Sequence, residues 1–93
     1  MRFEWDPAKN LSNIAKHGFS FEDAHLVFDN PMFATPDNRS AYGEPRISAY
    51  GTLNGRIVNI VFTMRSDEVV RIISMRKANG REKARYQKRL GAH

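Results

Sequence analysis

Hydrophobic and polar positions along the chain change period near residue 31, from the 3.6 of helices to the 2 of strands. Before that point, Phe3 and Trp5 alternate with charged residues, so residues 2 to 5 read as a short strand. Asp6 then supplies an N-cap, Pro7 pre-sets the first helical position, and Gly18 follows where a left-handed residue is wanted. The pattern predicts a helix over 7–17. Its stripe of Ala8, Leu11, Ile14 and Ala15 should face the core, leaving Lys9, Asn10, Asn13 and Lys16 toward solvent. Ser20 can cap a second helix over 21–29 that buries Phe21, Ala24, Val27 and Phe28, and Asn30-Pro31 ends it.

The remainder reads as strands over 32–36, 45–52, 56–64 and 68–76, rich in Ile, Val, Phe, Thr and Tyr. Asn54-Gly55 between two such runs predicts a hairpin, Ser66-Asp67 marks another turn, and the three long strands should form an antiparallel meander. Residues 37 to 44 are polar and glycine-containing, as an exposed loop would be. Asn79 and Glu82 are spaced like a capping box, which predicts a terminal helix over 79–90. It can bury only Ala84, Tyr86 and Leu90, and should lie across a sheet edge or dock a partner. The expected class is α+β: two N-terminal helices on an antiparallel sheet, with a short C-terminal helix, in one domain of 93 residues.

Charge sharpens this picture. Residues 1 to 64 hold 6 Lys/Arg against 7 Asp/Glu, and residues 65 to 93 hold 9 against 3, so the net +5 divides into −1 and +6. A basic end of this kind concentrates polyanions, nucleic acid above all, although the same charges also serve a well-solvated surface. The chain has no cysteine, which removes disulfides, thiolate metal sites and a cysteine nucleophile. With no signal-like start and no long apolar run, the expected location is the cytoplasm.

His17, His25 and His93 lack paired-ligand spacing, so no metal and no cofactor is expected, and there is no phosphate-binding glycine loop or nucleophile elbow. Strand alternation puts Glu44, Arg46, Ser48 and Tyr50 on one face, while Val58, Ile60, Phe62 and Met64 form an apolar face for the helices. Arg71 and Arg76 have opposite parity, so a regular strand cannot present both on one face without a bulge or the strand ending first, and the sequence leaves their faces open. A carboxylate beside arginines suits metal-independent RNA cleavage: a base takes the 2′-hydroxyl proton, the oxygen attacks phosphorus, and arginines stabilise the added charge. Glu44 is the candidate base and Arg46, Arg71 and Arg76 the candidate cations. Spacing alone equally allows Glu44 and Arg46 to be a surface ion pair. His17 is a candidate general acid, though a Lys-His-Gly helix end is also explained by cations near the last carbonyls. Trp5 is assigned to the core.

The ordered set Phe3-Glu4-Trp5-Asp6-Pro7-Ala8-Lys9-Asn10, Lys16-His17-Gly18-Phe19-Ser20-Phe21-Glu22-Asp23-Ala24, Phe28-Asp29-Asn30-Pro31, Gly43-Glu44-Pro45-Arg46 and Arg71-Ile72-Ile73-Ser74-Met75-Arg76-Lys77-Ala78 resembles the BrnT family of toxins. The resemblance implies a RelE-like fold and a growth-arresting ribonuclease. It also implies a cognate antitoxin of the BrnA type, whose ribbon-helix-helix part binds operator DNA, and active-site positions at Glu44, Arg46, Arg71 and Arg76. For an RNA substrate, Lys9, Arg56, Arg65 and Lys77 are the candidate backbone contacts. Pro45, which lacks a backbone donor, and Met75, bulkier than the family's usual residue there, depart from the pattern. The rival reading is a non-enzymatic nucleic-acid or partner-binding module resting on the same basic end. Arg46 and Arg76 are expected to stand clear of the core, where alanine substitution costs little stability.

Overall fold

The computed structural model describes residues 1–37 and 45–91. Its elements are β1 (Arg2–Glu4), α1 (Pro7–His17), a 3-10 turn (Phe21–Asp23) leading into α2 (Ala24–Phe28), β2 (Phe33–Asp37), β3 (Arg46–Leu53), β4 (Arg56–Met64), β5 (Val69–Lys77) and α3 (Gly80–Arg89). The local signals act as read: Asp6 Oδ1 accepts from the Ala8 N–H at 2.8 Å, and Asn79 and Glu82 form a reciprocal capping box. The expected second helix is instead a tight turn followed by five α-helical residues. Ser20 caps this turn through the Glu22 N–H, and the Asp23 N–H bonds back three residues to Ser20.

Five strands form one sheet in the order β1-β5-β4-β3-β2. Strands β2 to β5 are antiparallel neighbours, but β1 joins β5 in parallel, so the sheet is mixed where a purely antiparallel one was expected. Strand β1 covers part of an edge that the meander leaves open, and Phe3 points inward, edge-on to Phe28 at 5.1 Å. Asn54 and Gly55 both take positive φ, 51° and 80°, which suits the twist of the β3–β4 hairpin.

The inner face of the sheet buries Ala49, Leu53, Val58, Ile60, Phe62, Val70, Ile72 and Met75 against Phe19, Phe21, Ala24 and Val27. Trp5 packs at the margin of this core, edge-on to Phe21. Gly51 lets α2 approach β3: a Cβ there would sit 2.8 Å from Val27 Cγ1. Met64, expected on the apolar face, lies at the end of β4 and is exposed.

Helix α1 reverses its expected orientation. Leu11 and Ile14 are 69% and 41% exposed and Ala8 and Ala15 face water, whereas Asn13 is buried. The cause is the edge of β5 beyond the point where β1 stops. Asn13 Nδ2 donates to the carbonyls of Met75 and Phe19 at 2.8 and 2.9 Å, and its Oδ1 accepts from the Met75 N–H at 3.2 Å. One side chain thus satisfies both backbone groups of Met75, as a neighbouring strand would. The N–H and carbonyl of Met75 left buried without partners would cost about 1 to 3 kcal/mol each, whereas Ile14 keeps more than half of its surface covered and Leu11 alone is largely in water. Asn10 adds a further bond, accepting from the Phe21 N–H at 2.8 Å.

Helix α3 lies over the outer face of the sheet and not across an edge. Tyr86 packs near Phe33, with ring centroids 6.1 Å apart, and its hydroxyl donates to the Pro31 carbonyl at 3.0 Å. Glu82 is buried in this contact, while Ala84, expected to be buried, is exposed.

Candidate active face

The outer face is set by strand register. Arg46, Ser48 and Tyr50 alternate outward from β3, and Asn59, Val61 and Thr63 do so from β4, since Ser48 pairs with Val61 and Tyr50 with Asn59. Across β4 and β5 the pairs are Thr63 with Arg71, Val61 with Ser74 and Asn59 with Arg76. The register slips between Val61 and Phe62, because Phe62 pairs with Ile72 and Ile73 has no opposite residue. This bulge decides what the opposite parity of Arg71 and Arg76 had left open. The extra residue restores both arginines to the face that carries Arg46.

Arg71 and Thr63 lie in one row across the sheet, and Arg46 stands beyond Thr63, two strands or roughly 10 Å from Arg71. The Thr63 hydroxyl donates to the Pro45 carbonyl at 2.6 Å, tying the start of β3 to β4. Parallel pairing sets Glu4 beside Arg71, whose Nη1 donates to Glu4 Oε2 at 2.7 Å; Arg65 Nη1 lies 3.5 Å from the same oxygen. Glu4, which the sequence did not single out, is thereby brought against two arginines. Its outward parity was readable from inward Phe3, but its neighbour depended on a long-range parallel pairing. Glu44 lies outside the described residues.

Arg76 stands at the α3 end of the same face and is held more firmly than expected. Its Nη1 and Nη2 donate to Glu82 Oε1 and Oε2 at 2.8 and 2.9 Å, and Nη1 also reaches the Lys77 carbonyl. The Tyr50 hydroxyl donates to Glu82 Oε2 at 2.9 Å, and the Asn79 N–H donates to Oε1 at 2.9 Å. The Arg76 hydrogen bonds hold the Glu82 carboxyl down at about 2, against the opposing effect of burial, with help from the Asn79 N–H and Tyr50. The same pairing raises the Arg76 guanidinium above its ordinary value. The expectation that Arg76 stands free of structural duties is therefore corrected, because its partner is a buried carboxylate.

The remaining candidates fall into two grooves. Lys9, Ser12, Asn13, Lys16 and His17 of α1 line one of about 200 Å³ with Ile73 and Ser74, so the bulge forms its floor and Ser74 links it to the outer face. Arg56 and Lys77 line another, at the hairpin end of the sheet. Among the described residues no group of three or more His, Asp or Glu could hold a metal ion. No helix among them is long and apolar enough to cross a membrane.

A family model described as ribonuclease toxin, BrnT, of type II toxin–antitoxin system matches residues 5–82. The 1.1 Å crystal structure of the Brucella abortus ribonuclease toxin BrnT is similar over 85% of this chain and 97% of that one, with 36% sequence identity and a TM-score of 0.67. No curated protein matches the chain. The α+β fold and these likenesses define a ribonuclease toxin of the type II toxin–antitoxin class. Within that class the chain belongs to the BrnT family.

Proposed function

We propose that the outer face cleaves RNA by metal-independent transesterification and that this activity arrests growth until an antitoxin masks it. The observation that carries the reading is the β5 bulge, which aligns Arg71 with Arg46 on one polar face. In this reading Glu44 removes the ribose 2′-hydroxyl proton and the oxygen attacks the adjacent phosphorus. The bond to the 5′-oxygen breaks, leaving a cyclic phosphate and a 5′-hydroxyl. Arg46 and Arg71 bind the phosphate oxygens where negative charge accumulates, a task suited to the planar guanidinium. His17, which lines the same groove as Ser74, is the candidate proton donor to the leaving oxygen. Glu4 is a positioning residue that aims Arg71. Arg76 supports the face through Glu82 and Tyr50 and offers the phosphate the N–H donors that Glu82 does not use.

The antitoxin is proposed to be a BrnA-type protein whose acidic or apolar segment covers the basic surface and whose ribbon-helix-helix part carries the complex to operator DNA. Opposite charge would speed its association. The test is purified, antitoxin-free protein with RNA in excess EDTA, paired with inducible expression in cells. Cleavage that survives EDTA, lost with growth arrest in Arg71→Ala, is the expected outcome. Binding without cleavage would overturn the reading in favour of a non-enzymatic module.

A further inference from the structure

Apart from the arginine-bearing face, the molecule gathers a second set of cations at the far end of the sheet. Arg56 opens β4, Lys77 closes β5, and Lys83 and Gln87 project from successive turns of α3. With Gly55 and Ile57 they line a groove of about 270 Å³. Arg56, Lys77 and Lys83 are all exposed, and none forms an ion pair among the described residues. Among the described residues no carboxylate lines the groove, and Glu82, adjacent to Lys83 in sequence, is committed to Arg76. The Arg56 guanidinium lies over the Phe19 ring, 5.2 Å from its centroid, which props it in place at the mouth of the hairpin. Three cations brought together from three elements repel one another unless an anion answers them.

We propose that this groove is a subsite for a backbone phosphate of the RNA substrate, remote from the cleaved bond. The inference rests on the ribonuclease reading and adds to it where the strand is held. Ile57 and Thr63 lie on the same strand face six positions apart, so the groove is roughly 20 Å along β4 from the Arg46–Arg71 row. A single strand of a few nucleotides bridges that length, within the span that single-strand grooves cover. Phosphate fits the lining better than an acidic helix would. Such a helix needs an apolar seat, and Ile57, the one aliphatic side chain among the described lining residues, is already packed with Tyr50, Ala78 and Tyr86. Gln87 adds a neutral side chain that can hydrogen-bond the ribose 2′-hydroxyl.

The test measures binding of an uncleavable, 2′-O-methylated single-stranded RNA across a salt series. Lys77→Ala/Lys83→Ala is compared with Arg81→Ala/Lys88→Ala, a control that removes the same charge from exposed positions outside the groove. Each lost phosphate contact lowers the slope of log affinity against log salt by roughly 0.7, and both lysines answer the same phosphate, so the groove pair should lose about 0.7. The control pair should lose clearly less. Equal losses would reduce the groove to generic surface charge and overturn the proposal. So would a groove pair that binds RNA with the wild-type slope but no longer binds the antitoxin, since that assigns the cations to a protein partner. Wild-type protein that neither binds nor cleaves RNA would overturn the ribonuclease reading itself, and that result is visible before any variant is made.

Discussion

Arg76 and Glu82 grip each other through two parallel hydrogen bonds of 2.8 and 2.9 Å, and that grip fastens α3 to the end of β5. The Glu82 side chain is only 10% exposed, whereas that of Arg76 is 38% exposed, so the two partners are not equivalent. Removing Arg76 strands a buried carboxylate. Arg76→Ala is expected to cost about 2 kcal/mol, below the range for fully buried pairs because water reaches the arginine, and to lower Tm by on the order of 10 °C. Thermal and urea denaturation measure this. A shift of only a degree or two would mean that the pair is idle.

The pH dependence follows from the same carboxyl. Its value falls from an ordinary 4.5 to about 2 on folding, so the folded state favours the ionised form. The stabilisation is fully present above pH 4.5 and is lost as pH falls through 2. The stability gap between wild type and Glu82→Gln should therefore be constant above pH 5 and close between about pH 4.5 and 2. Acid titration of urea midpoints would show this; a gap that holds its full size at pH 2 contradicts it.

Helix α1 offers a contrast between two residues two positions apart. Leu11→Ala should change stability by no more than about 0.5 kcal/mol, because that side chain is already in water. Asn13→Ala should cost about 2 to 3 kcal/mol, since it leaves the backbone N–H and carbonyl of Met75 without their partners. Amide exchange at Met75 should accelerate in the second variant only. The opposite ranking would restore the conventional orientation of the helix.

Gly51→Ala tests the approach of α2 to the sheet. The new methyl would lie 2.8 Å from Val27 Cγ1 and 3.0 Å from Met32 Cγ, both side-chain atoms that can move only at some cost. A loss of about 1 to 3 kcal/mol is expected, with Gly51→Ala/Val27→Ala recovering part of it in a double-mutant cycle. Strict additivity of the two changes would speak against the contact.

On the proposed active face, Arg71→Ala should leave Tm within a few degrees, because its pair with Glu4 is partly exposed and such pairs contribute little. RNA cleavage should fall about a hundredfold or more, by analogy with the loss of a transition-state hydrogen-bond donor. Lysine at position 71 should rescue only in part, since a point charge cannot span two phosphate oxygens. Single-turnover cleavage measures both variants. Wild-type rates in Arg71→Ala would remove this arginine from the chemistry.

Elements under local chemical control were legible along the chain. Asp6-Pro7 starts α1, Asn54-Gly55 turns the hairpin with two positive φ angles, and Asn79 with Glu82 opens α3, each within a few residues of its cause. Alternation in β3 likewise set Arg46, Ser48 and Tyr50 on one face. Three features were left to the tertiary structure. Whether Arg71 and Arg76 share a face depended on a bulge at Ile73, which exists only because β4 and β5 pair in two registers on either side of it. Glu4 met Arg71 through a parallel pairing across more than sixty residues, which no local pattern encodes. The apolar stripe of α1 turned outward because the edge of β5 needed the amide of Asn13 more than the core needed Leu11, and that edge exists only once the sheet has assembled.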